Sequence, residues 1–328
     1  MKYLLLLAIA IFQLGCQAPS QKTRSETAKK HPAPTASKIF LNECRDTILN
    51  LKAGCSTPEY MDDAVRFRFD KHKIAYASMS KNVQLIAGDS SFVIYGLFPG
   101  NGYLKMIGKN GDTIADMTIK IYAPLGWDTL EKRAAEQVAY YSNQCKSCSV
   151  DFYPSNSIGM LFRNTLINQI VPDFSMKSLN SKHFHSIEKK DEVSILFIYE
   201  YGCQACQQAI AAVKQDSFAV SSAVRLHWFC KDGCYLNGDS LFYYTVRKDT
   251  LSESGHPKGV AWAKPSGEIY SASYPLLPKF MISGYPRAYV VDRNGRIRFV
   301  SHGASDNMVE MLRSFVKTIN VMDIRIAD

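Results

Sequence analysis

The chain has 328 residues, of which 46% are hydrophobic and 21% charged, with a formal net charge of +9. These proportions exclude a wholly disordered chain and allow one to three domains. No Lys/Arg cluster is interleaved with aromatics, so nucleic acid is not expected as a partner; a basic surface beside an anionic membrane is the simpler reading.

Lys2 opens the chain with positive charge, residues 4–12 are an unbroken apolar run, and Gln13-Leu14-Gly15-Cys16 follows at once. The run falls short of the roughly 20 residues that a spanning helix needs but suits the core of an export signal. A small residue directly before cysteine resembles the bacterial lipobox, in which the peptide is cut before the cysteine and that cysteine carries lipid. Gln13 departs from the aliphatic residue usual at its place. Residues 1–15 are therefore expected to be a lipoprotein signal peptide and Cys16 the lipidation site, with an ordinary secretory signal as the alternative. Either places the mature chain outside the cytoplasm, and the first anchors it in the bacterial cell envelope. Disulfides persist there. Besides Cys16, the nine cysteines comprise four local pairs: Cys44 and Cys55, Cys145 and Cys148, Cys203 and Cys206, Cys230 and Cys234. Even numbers in an exported protein suggest disulfides, although nearness in sequence does not prove pairing.

Residues 16–38 are rich in Pro, Ser, Thr, Ala and Lys without apolar period, and read as a flexible lipidated tether. Residues 39–125 carry a β pattern. Val65-Arg66-Phe67-Arg68-Phe69 alternates apolar and charged, and short strands are predicted at 83–86, 91–97, 102–107 and 117–122. Turn residues separate them, and Asn110-Gly111 predicts a type I′ hairpin. Regular short strands suggest a small β-sandwich, immunoglobulin-like, serving as spacer or partner-docking module. Asp128 with Glu131 three residues on has a capping-box pattern, and Leu130, Ala134, Val138 and Tyr141 continue at helical spacing. Residues 126–168 are thus a helical connector.

Residues 169–328 alternate strand and helix. An apolar strand is predicted at 193–199, a helix at 204–213, a second strand at 223–229, a hairpin around Arg293-Asn294-Gly295, and a closing amphipathic helix at 305–319. The expected fold class is α/β, a mixed central sheet flanked by helices and preceded by the β-sandwich-like region. At the end of the first of these strands stands Tyr201-Gly202-Cys203-Gln204-Ala205-Cys206, then a helix. A cysteine at a helix N-terminus faces unsatisfied N–H groups and the positive end of the helix dipole, and both favour thiolate. Such motifs lower a cysteine pKa from about 8.5 to between roughly 7 and 3.5. Cys203 is the candidate nucleophile and Cys206, one turn on, the candidate resolving thiol. By itself a C-x-x-C spacing also fits half a zinc site or a structural bridge.

Its surroundings narrow the choice. Ile170-Val171-Pro172-Asp173-Phe174 precedes the pair; Ile282-Ser283-Gly284-Tyr285-Pro286 and then Arg287-Ala-Tyr-Val-Val-Asp292 follow it. In this order the elements resemble the TlpA/ResA-like branch of the thioredoxin superfamily, exported and membrane-attached thiol–disulfide oxidoreductases. The resemblance spans residues 169–321. It implies a thioredoxin-like domain, a cis bond before Pro286, and a Tyr285 backbone that pairs with an extended substrate segment. Two positions depart from the pattern: Gly202 stands where Trp is usual before the first cysteine, and Phe197 replaces the acidic residue often buried below the site. Glu200 could assist proton transfer, or be a solvated loop carboxylate. Cys230 and Cys234 fit a structural disulfide pinning an insertion or a relay to Cys203 and Cys206. Cys145 and Cys148 fit a structural disulfide or a second redox pair, and lack the following His that haem attachment needs. No histidine has trustworthy ligand spacing, so no metal or cofactor is expected. The expected activity is reduction of disulfides in exported proteins, fed by a membrane thiol or electron donor. The alternatives are the opposite direction, as disulfide oxidase or isomerase, and a non-enzymatic metal- or protein-binding thioredoxin-like module.

Overall fold

Two runs of strands of different character make up the structure, a computed structural model. The residues it describes are 39–40, 45–52, 65–68, 70, 73–87, 91–144, 156–172, 176–179, 184–185, 192–200, 203–216, 223–230, 234–237, 240–243, 262–263, 268–271, 285–301, 303 and 307–327. The first run is β1 (Ile39–Phe40), β2 (Arg45–Lys52), β3 (Val65–Arg68), β4 (Ile74–Ser80), β5 (Val83–Ala87), β6 (Ser91–Gly96), β7 (Gly100–Gly108) and β8 (Thr113–Tyr122). Helices α1 (Trp127–Gln144) and α2 (Asn156–Leu166) follow. The second run holds β9 (Met176–Lys177), β10 (Phe184–His185), β11 (Val193–Tyr199), α3 (Gln204–Gln215), β12 (Val224–Cys230), β13 (Cys234–Asn237), β14 (Ser240–Tyr243) and β15 (Trp262–Ala263). It ends with β16 (Glu268–Ser271), β17 (Arg287–Val291), β18 (Ile297–Val300), α4 (Met308–Val321) and β19 (Asp323–Ala327).

The first run folds into two sheets, ordered β1-β3-β6-β5 and β19-β4-β7-β8-β2. With β1 and β3 to β8 read as strands A to G, β1-β3-β6-β5 and β4-β7-β8 are the ABED and CFG orders of an immunoglobulin-type sandwich. Three features depart from it: the short β1 runs parallel to β3, the extra strand β2 runs parallel beside β8, and β19 is added beside β4. Phe67, Leu85, Phe92 and Ile94 of one sheet share a buried cluster with Leu104, Met106, Met117 and Ile119 of the other. Alternate residues of β8 from Ala115 on are buried and the rest reach the surface, as a sheet with one solvated face requires. The sheets approach closely at Gly96, where an added Cβ would lie 2.6 Å from Ile121 Cγ2.

The β7–β8 turn corrects one expectation. A type I′ turn needs positive φ at both central residues, but only Gly111 has it (φ 87°); Asn168 is the one non-glycine with positive φ among the described residues. Gly111 N donates to Gly108 O and Gly108 N to Asp112 O, giving a longer turn with glycine at the left-handed position. The β17–β18 turn repeats this pattern: Gly295 N donates to Asp292 O, and Asp292 N to Arg296 O. Helix α1 also begins before the expected cap. Trp127, 3% exposed and edge-on to Phe98, is its first residue, so Asp128 lies within the first turn. Strands β2 and β4 fall in the expected β region and α2 in the expected helical connector without having been singled out, and β19 follows the expected closing helix as an added strand.

The second run contains a five-stranded sheet ordered β16-β12-β11-β17-β18. Strand β11 is parallel to β12, with α3 between them in sequence, and antiparallel to β17, which forms a hairpin with β18 before α4. This is a thioredoxin-like fold. All seven residues of β11 are buried because both faces are covered. Ile195, Phe197 and Tyr199 pack with Ile210 and Val213 of α3 and Leu312 and Phe315 of α4. Leu196 and Ile198 pack on the other face with Leu166, Tyr289 and Val291. A strand between two layers reads as a continuous apolar run, not an alternating one.

The boundaries expected at 125 and 168 do not separate the packing. Ile86 and Tyr95 of the sandwich lie in the same buried cluster as α3 and α4, and Leu97 in that of β17. Between the layers Arg298 is buried at 2% exposure. Its Nε donates to Asp292 Oδ2 at 2.6 Å, one terminal nitrogen to Asn168 Oδ1 at 2.7 Å, and the other to Ile324 O at 2.9 Å. Burial pulls its pKa below the ordinary arginine value, and the Asp292 carboxylate opposes that pull.

Candidate functional site

The site is built where β11 ends and α3 begins. Tyr199 is the last buried residue of the strand, Glu200 follows half-buried, and Cys203 is the N-cap of α3. Cys203 has an extended backbone (φ −76°, ψ 102°), and its Sγ accepts from Cys206 N at 3.1 Å. A sulfur thus takes the place that Ser or Asp oxygens usually fill, satisfying one orphan N–H of the first turn. Cys203 and Cys206 form a disulfide with their Cα atoms 5.2 Å apart. They differ in access. Cys206 is wholly buried among Phe197, Tyr199 and Trp228, whereas Cys203 is partly exposed at the edge of that cluster. An incoming partner therefore meets Cys203 first.

Strand β17 brings the second half of the site. The Tyr285–Pro286 peptide bond is cis, the isomer that the resemblance implied. The Tyr285 carbonyl oxygen lies 4.0 Å from Cys203 Sγ. Pro286 is buried and Tyr285 half-buried, packed against the clusters on both faces of the sheet. Residues distant in sequence thus meet at one sheet end, because β17 runs antiparallel to β11 and begins where β11 stops.

Phe197 is 1% exposed and tilts against Trp228 with ring centroids 4.9 Å apart. Below Cys206 there is thus aromatic packing where an acidic residue was the usual expectation. Cys230 pairs with Tyr199 across the parallel ladder, which puts it at the same sheet end. It is fully buried in the cluster that also holds Cys206. Cys234 opens β13, paired with Tyr243. Cys16, Cys44, Cys55, Cys145, Cys148 and Gly202 lie outside the described residues. The Val171-Pro172 element is placed by the hairpin: Val171 N donates to Gly295 O at 2.8 Å, and Ile170 bridges Arg296. Sequence reading passed over Arg298 and Asn168. A charged residue inside an apolar strand was the available signal for the first, and nothing local marked the second.

No family model matches the chain, and no curated protein does. Solved structures do. The thioredoxin domain of a thiol-disulfide oxidoreductase from Bacteroides vulgatus is 14% identical, matching 46% of this chain and 97% of that one with a TM-score of 0.32. StoA from Bacillus subtilis is 18% identical, matching 44% of this chain and 96% of that one with a TM-score of 0.30. The strand order, not these likenesses, fixes the fold as thioredoxin-like.

Proposed function

We propose that this protein is a thiol–disulfide oxidoreductase that reduces disulfides of exported proteins at the bacterial cell envelope, held there by lipid on Cys16. One observation carries the reading: a partly exposed Cys203 caps α3, disulfide-bonded to a buried Cys206 and beside the Tyr285 carbonyl. In the reduced protein, the Cys206 N–H and the helix N-terminus favour thiolate on Cys203. That thiolate attacks one sulfur of a substrate disulfide, forming a mixed disulfide and releasing the other substrate sulfur as thiolate. Cys206, deprotonated, attacks Cys203 Sγ. The Cys203–Cys206 disulfide closes and the second substrate thiolate leaves, so the substrate gains two electrons and the pair loses two. A membrane dithiol donor then reduces the pair again. Glu200, between Tyr199 and Cys203, is the candidate to move the proton from Cys206, and the Tyr285 backbone orients an extended substrate. No cofactor enters the cycle.

The purified protein should catalyse reduction of insulin disulfides, and Cys203→Ser should remove that activity; an undiminished rate in the variant overturns the assignment. The redox potential of the pair tests the direction. About 30 mV corresponds to roughly 1.4 kcal/mol for this two-electron couple, and a value near strong oxidants would reverse the assigned flow. Cys16→Ala should move the protein out of the membrane fraction.

A further inference from the structure

We propose that the sandwich and the thioredoxin-like region are one cooperative folding unit, locked at Arg298 and closed by the C-terminal strand β19. The sandwich is then a fixed buttress of the redox sheet, not a spacer. The proposal rests on buried contacts and is independent of the redox assignment.

Residues 37–328 form one compact unit. Within it Arg298 binds three segments at once: Asp292 of the hairpin, Asn168 after α2, and the Ile324 carbonyl on β19. Its own carbonyl accepts from Gln84 Nε2 of the sandwich at 2.8 Å, with Gln84 1% exposed. Asn168, in the left-handed region at φ 68°, donates to the carbonyls of Lys81 at 3.1 Å and Val83 at 2.9 Å. Two further bonds cross the same boundary: Ala87 N donates to Thr318 Oγ1 at 2.7 Å, and Asn164 Nδ2 to Leu97 O at 3.0 Å. A charge this deeply buried is tolerated only while its partners stay in place, and separating the layers would take the Ile324 carbonyl from Arg298, the Arg298 carbonyl from Gln84, and Asn168 from the Lys81 and Val83 carbonyls.

The strand order adds a topological lock. β19 leaves α4 and pairs parallel with β4 over Asp323–Ala327 against Tyr76–Ser80. The sandwich sheet is therefore incomplete until Asp323–Ala327 are available to it. All four residues of β18, the edge strand of the redox sheet, are buried, so this edge is closed to a pairing partner.

Hydrogen exchange of the full chain in mild denaturant, read separately in β7–β8 and β11–β17, tests the proposal. The wild type should melt in one calorimetric transition, with both regions opening together. Arg298→Met, a change in the redox region, should lower protection in β7–β8 as much as in β11 and reduce the Tm by roughly 10 °C. Deleting 323–328 should do the same. Should Arg298→Met fail to fold, Gln84→Ala removes one hydrogen bond from the sandwich side. It should lower protection in β11, remote in sequence from the change. Two separable transitions in the wild type, unchanged β7–β8 protection in Arg298→Met, or unchanged β11 protection in Gln84→Ala would each overturn the proposal.

Discussion

The sandwich and the redox sheet both bury Phe, Ile and Val, yet β8 alternates from Ala115 on whereas β11 is buried throughout. The sandwich strand has one covered face, so each outward residue is free to be polar. β11 has two, so its side chains can be reached only where the strand ends. Cys203, Cys206 and Tyr285 all sit at that end, where an unfilled helix terminus supplies N–H groups. A sheet clad on both faces thus leaves its accessible groups at one strand end, whereas a sandwich with a solvated face spreads them along its strands.

The comparison can be pressed with substitutions of decreasing expected effect. Largest is Cys206→Ser in the reduced protein, which should abolish turnover and accumulate a mixed disulfide with substrate, visible as a higher band on non-reducing electrophoresis. Turnover without the trapped species would mean that Cys206 does not resolve it. Next is Phe197→Ala, which removes a ring from the doubly clad core. Denaturant unfolding should read a loss of about 3–5 kcal/mol. In the sandwich, Gly96→Ala forces a Cβ against Ile121 and should cost about 1–3 kcal/mol, with insulin reduction unchanged once folded. Equal losses of activity in the two core variants would erase the functional contrast between the regions. Smallest is Lys105→Ala, which removes a pair with Asp116 at 3.3 Å whose partners are 44% and 47% exposed. A shift within about 1 kcal/mol is expected, and a larger one would mean that the solvated face carries more than surface charge.

Legibility in the sequence follows the same division. The β11 run, the helix after Cys203 and the glycine turns were readable because a few adjacent residues set them. β2 and β4 were passed over: Arg45–Lys52 mixes charged and apolar residues, and the partly buried positions in Ile74–Ser80 blur its alternation. Asp128 was misplaced as a cap because the helix start is set by Trp127 packing on Phe98, a contact from the connection between β6 and β7. The Asn110-Gly111 dipeptide announced a turn correctly, but its type was settled by the hydrogen bonds of Gly108.

By itself the sequence determined that Cys203 and Cys206 would stand where an apolar strand gives way to a helix, since that requires only strand length, helix spacing and a three-residue step. Only the tertiary structure decided that Cys203 is reachable and Cys206 sealed, that Tyr285 lies beside Cys203, and that Arg298 ties the β17–β18 hairpin to β19. The reason is range. Local periodicity acts within a turn or a strand, whereas burial and charge pairing depend on which distant segments the sheet order brings together.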